Sequence, residues 1–175
     1  MATGRPALRE LLDLTGWDGS VDVGAAWDPI EAAAGVALPG DLKELMTRFP
    51  TGYFGYFFAV YSPVPRPNGR SPFRCEMDET LELMRDQDTL PHPVHPEPGG
   101  LLPWGSTTSA HTLCWHVSDP DPSRWPVVFF DSDFGRSGTY PGTATAFLRD
   151  VLSGRFSHEF FDDHVRGRRP RFDPI

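Results

Sequence analysis

The sequence has almost no lysine. Lys43 is the only one in 175 residues, so Schiff-base or lysine-general-base chemistry would have to use it. Set between Asp41 and Glu44, it reads as a solvated helix position instead. Cysteine is nearly as scarce. Cys75 and Cys114 form no CxxC or other metal-ligand spacing, and two unpaired thiols make a reduced cytosolic chain the default. No apolar run approaches the roughly 20 residues that span a bilayer. Arg9, Glu10 and Asp13 interrupt the N-terminal apolar stretch where a signal-peptide core would have to lie. The expected setting is cytoplasmic, away from membranes. The chain also lacks GxSxG, GxxxxGK[ST] and GxGxxG, which removes the serine-hydrolase elbow and both common nucleotide-phosphate loops.

What is present suffices for one domain. The length suits a single compact unit, and a hydrophobic fraction of 39% supports a core that needs neither disulfides nor a structural metal. With 19 prolines and 17 glycines, loops should be long and helices short. Charge is unevenly placed. Of 16 basic residues, Arg166, Arg168, Arg169 and Arg171 fall within 166–175 against Asp173 alone. That segment carries +3, and the rest of a chain of net charge −8 therefore carries −11. Such a body repels nucleic acid and anionic lipid and steers cationic partners toward itself. The arginine-rich 166–175 segment reads as a flexible tail on a domain spanning 1–165.

Local signals give the order of elements. Pro6, Leu8, Leu11, Leu12 and Gly16 mark a first helix. Asp28, Pro29 and Glu31 form a capping arrangement for a second, closed by Gly35. Leu42, Leu45, Met46 and Phe49 put a third over 41–49. The aromatic segment 52–63 predicts a strand over about 54–61. A proline loop follows through Pro72, a helix can start over 78–84, and 91–103 reads as a second long loop. Leu113, Trp115 and Val117 alternate with Cys114 and His116, predicting a strand. WPVVFFD (125–131) predicts its hairpin partner, with Trp125, Val127 and Phe129 on one face. After a turn over 132–138, Thr143 caps a helix that Gly154 ends, and Ser157 can cap one last short helix.

Three stretches taken in series carry a resemblance: LPGDLKELM (38–46), GGLLPWGSTTSAHTLCWHV (99–117), and WPVVFFD through YPGTATAFLRDVLSG (125–154). Over roughly residues 17–155 the chain resembles the SUKH superfamily, the fold shared by a fungal cell-wall-synthesis regulator and many bacterial immunity proteins. The resemblance implies an α+β domain in which short helices flank a twisted, mainly antiparallel sheet. It also implies a non-enzymatic protein that binds and neutralises a polymorphic toxin domain, often a nuclease, by occlusion. A cytoplasmic scaffold or regulatory module with a non-toxin partner is the alternative.

The residues offer little competing chemistry. His92, His95 and Glu97 are zinc-type ligands, but PHPVHPEP is an extended segment that cannot align both imidazoles, so a solvated loop is the plainer reading. His111 falls on the opposite strand face from Cys114 and His116. No cofactor or metal is expected. Asp119, Asp121, Asp131 and Asp133 lie near strand ends without the spacing of a calcium loop. They read as turn carboxylates or as a surface for a cationic partner. Trp104 follows a loop proline and suits either core packing or a half-exposed ring that stacks on a partner. With Tyr56, from an aromatic run larger than one strand face can hide, it is the candidate anchor. The expected protein is a monomer or weak dimer that binds a cationic protein and no nucleic acid directly.

Overall fold

The period-two pattern around Trp115 builds the centre of a seven-stranded antiparallel sheet in the computed structural model, which describes residues 4–131, 133 and 135–175. The strands are β1 (Gly52–Phe54), β2 (Phe58–Val60), β3 (Leu101–Thr107), β4 (Thr112–His116), β5 (Val127–Phe130), β6 (Ser137–Tyr140) and β7 (Phe172–Pro174). Their order is β6-β5-β4-β3-β2-β1-β7. Chain neighbours are therefore sheet neighbours, except that the last strand returns to the free edge of the first.

Alternation decides which helix covers which face. Leu113, Trp115, Val127 and Phe129 enter the large core with Phe147, Leu148 and Val151 of α5 (Ala144–Leu152) and residues of α1 (Gly4–Thr15) and α3 (Gly40–Leu45). The intervening Cys114, Val128 and Phe130 join a second cluster closed by Leu101 and by Met84 of α4 (Pro72–Arg85). Both faces of the central strands are buried, so β5 is apolar throughout and shows no polar alternation. The fold class is α+β, with Trp125, Val127 and Phe129 sharing a face as expected.

Several boundaries differ from the sequence reading. The strand expected over 54–61 is a hairpin: Gly55 and Tyr56 adopt φ of 61° and 58°, and the Phe57 N–H donates to the Phe54 carbonyl at 3.0 Å. Two successive positive φ values are the signature of the tight turn that matches strand twist. The helix expected to start near Asp78 begins at Pro72, with the Ser71 hydroxyl accepting from the Arg74 N–H. Proline in the first helical turn, read as loop, is a helix start here. The long loop ends at Gly100, and β3 accommodates Pro103 beside a register shift between Pro103 and Gly105. In α2 (Asp28–Ala34) Trp27, not Asp28, holds the cap position. Of the turn over 132–138, Ser132 and Phe134 lie outside the described residues.

The largest correction concerns the tail. Residues 172–174 form β7 on the edge of β1, and Phe172, 6% exposed, packs its ring 4.9 to 5.0 Å from those of Trp17, Phe49 and Phe54. A Cβ at Gly52 would come within 2.4 Å of the Asp173 carbonyl oxygen, so only glycine lets β7 approach. Arg166, Arg168 and Arg169 stay in solvent. Reading their charge as a property of the whole segment hid the one aromatic anchor beyond them.

Candidate partner-binding surface

The six residues singled out from the sequence do not converge. Trp104 is 2% exposed, its ring 6.1 Å from that of Trp115; strand alternation places it beside Leu102 in the core, where it cannot anchor a partner. Tyr56 is exposed at 54%, under the Arg171 guanidinium at 4.8 Å. Register fixes the aspartates. Leu101 pairs with His116, and Thr112 with Phe130, so Asp119 and Asp121 leave one end of the sheet. Asp131 and Asp133 leave the other end, the one that carries Tyr56.

Three of those carboxylates serve their own turns. Asp119 accepts from the Asp121 N–H, and Asp121 accepts from the Ser123 N–H and hydroxyl. Those Ser123 bonds hold the Asp121 pKa below the usual carboxylate range. Arg124 lies 3.7 and 3.9 Å from the two. Burial pushes the Asp131 pKa up, but N–H groups of Arg136 and Gly135 and the Arg136 guanidinium at 3.0 Å outweigh it and bring it down. Asp133 is exposed and has no ion-pair partner among the described residues.

The histidines are structural as well. His95, expected in solvent, is 7% exposed and its Nε2 donates to the Ala34 carbonyl at 2.7 Å. The imidazoles of His92 and His116 stack at 3.9 Å. His111 bonds through Nδ1 to the Thr107 hydroxyl at 2.8 Å and lies flat on Phe160. Among the described residues no three His, Cys, Asp or Glu side chains are placed to hold a metal ion. No helix among them is long and apolar enough to cross a membrane.

A coherent surface exists on α4 instead. Its apolar stripe, Phe73, Met77, Leu81 and Met84, is buried against the sheet. Leu83 falls out of that phase and is 64% exposed. On a helix its neighbours are the residues three and four positions away, here Glu79 and Asp86. Exposed Asp78, Glu82 and Asp88 extend the acidic ridge around it. Arg74 pairs with Asp78 at 2.5 Å and Arg70 with Glu79 at 3.9 Å. Among the described residues Glu82, Asp86 and Asp88 have no ion-pair partner, so the C-terminal half of the ridge keeps its charge. An exposed leucine with free carboxylates on its C-terminal side suits a cationic protein surface that supplies a small apolar contact. The signal was in the sequence: DETLELMRDQD (78–88) carries five acids and one leucine out of step with the buried stripe.

Compared with protein-family models, with curated proteins and with solved structures, the chain matches none.

Proposed function

We propose that this chain is a non-enzymatic binding protein that captures a cationic protein through the outer face of α4, with Leu83 as the apolar contact and Glu82, Asp86 and Asp88 as the attracting charges. The partner in this reading is a toxin domain that the chain neutralises by covering its basic substrate groove. The observation that carries it is the set of three carboxylates, Glu82, Asp86 and Asp88, that have no ion-pair partner among the described residues and lie beside an exposed leucine on a helix whose other face is locked into the core. The −11 carried by residues 1–165 supports it, because a field of that sign accelerates encounter with basic surfaces. A groove that holds phosphates presents arginine and lysine, and the ridge offers carboxylates in their place.

Affinity capture from the cells that make the chain tests this, with Leu83→Asp and a Glu82→Lys/Asp86→Lys variant run beside the native protein. Recovery of a basic protein that both variants lose is expected. Equal recovery by all three, or recovery of acidic partners alone, contradicts the proposal. Assaying the captured protein's own activity with and without the chain separates an inhibitor, which suppresses it, from a scaffold, which leaves it unchanged.

A further inference from the structure

A cleft runs between the proline loop 63–71 and the N-terminal half of α4, away from the acidic ridge's free end. Its cavity is about 250 Å³, smaller than pockets that take drug-sized molecules. The Tyr61 phenol and the Ser106 hydroxyl, one from the end of β2 and one from β3, bond each other at 2.8 Å. Glu76 reaches toward both from α4. Burial pushes the Glu76 carboxyl up from its usual range, with the interactions of Tyr61 and Ser106 opposing it. Burial likewise pushes the Tyr61 phenol up to about 12, so it stays a hydrogen-bond donor.

The lining is bipolar. Glu76 and Glu79 come from the helix, and Arg66 and Arg70 come from the loop. Arg70 and Glu79 face each other at 3.9 Å and cancel. That leaves two charged groups of the lining without an ion-pair partner among the described residues: Glu76, half-buried, and Arg66, exposed at the mouth. A carboxyl taken partly out of water without a cation is costly, and a ligand cation would offset that cost. An unpaired guanidinium at the rim favours a carboxylate, with which it can make paired hydrogen bonds. A ligand that satisfies only one of these groups leaves the other as it is.

We infer that this cleft binds a small zwitterion of the free amino-acid class, its ammonium on Glu76 with Tyr61 as a neutral hydrogen-bonding partner that Ser106 holds in place, and its carboxylate on Arg66. The lining offers one unpaired group of each sign, which a molecule carrying both charges would satisfy together, and the cavity has room for one amino acid and its side chain. The inference is independent of the ridge on α4.

Titration calorimetry of the full chain with each of the twenty common amino acids tests it, with the N-acetyl derivative of the amino acid that binds as the carboxylate-only control and its methyl ester as the ammonium-only control. At least one amino acid is expected to saturate with a dissociation constant at or below about 1 mM, and both of its derivatives should bind at least tenfold more weakly than it does or not at all. Glu76→Gln, nearly isosteric, and Arg66→Ala, on an exposed loop, should each weaken the bound amino acid tenfold or more. A circular dichroism spectrum identical to the native one confirms that each variant is folded. Absence of saturable heat with every amino acid at about 10 mM, controls that bind as tightly as the zwitterion, or undiminished binding to both variants overturns the inference.

Discussion

Glu31 shows how a single side chain changes meaning between sequence and fold. Its position suggests the third residue of a capping box, yet its carboxylate leaves α2 and accepts from the Leu38 N–H at 2.7 Å and from Lys43 Nζ at 2.5 Å. The sole lysine is thereby a partly buried strut between α2 and α3, not a solvated one. Burial raises the Glu31 pKa, but the Lys43 ammonium and the Leu38 N–H outweigh it and hold it below the usual carboxylate range. Replacing Glu31 with alanine leaves a backbone donor and a cation unpaired, and should cost about 2 kcal/mol in urea denaturation. The histidines act in the other pH window. Burial holds His111, His116 and His158 below the usual imidazole value of 6.5. The unfolded chain then binds protons that the folded one resists, so stability rises with pH and is lost as pH falls through 6.5. Denaturation midpoints measured from pH 8 to pH 5 should decline mainly in the lower half of that range, and His111→Gln should flatten the decline. A midpoint that rises on acidification, or a decline unchanged in the variant, contradicts this assignment.

At the scale of elements, the final strand is where charge misled and packing decides. Four arginines make 166–171 look like solvent-exposed chain, and all four are exposed, but the ring of Phe172 completes an aromatic group with Trp17, Phe49 and Phe54. Deleting such a ring leaves a cavity, so Phe172→Ala should lower stability by about 3 to 5 kcal/mol, and removal of 166–175 should lower the melting temperature rather than leave it unchanged. Native-like melting of the truncated chain contradicts that. Elements set by periodicity and caps were legible: β4 and β5 from alternation, α5 from Thr143, whose hydroxyl accepts from the Ala146 N–H at 3.3 Å. Elements that depend on a single residue's backbone state were not. The β1–β2 turn needs Tyr56 at positive φ, unusual for a side chain of that size. The start of α4 depends on Ser71 and Pro72, embedded among prolines that read equally well as loop.

For the molecule as a whole, composition sets the charge, and topology decides where that charge lies. Antiparallel register sends Asp119 and Asp121 to one end of the sheet and Asp131 to the other, each already hydrogen-bonded within its own turn. Spacing along a chain cannot show that four neighbouring aspartates divide between opposite ends of the sheet, whereas the phase of Leu83 against Met77, Leu81 and Met84 could have located the ridge. Neutralising Glu82, Asp86 and Asp88 should slow association with a basic partner about tenfold at low salt and flatten its salt dependence, while Asp131→Asn should leave the association rate at its native value and lower stability instead. The most direct measurement is amide hydrogen exchange of the chain alone and bound to its captured partner. Slowed exchange over residues 78–88, with the turns at 55–57 and 135–136 unchanged, is the result this account predicts. Slowed exchange confined to those turns, with α4 unchanged, would contradict it.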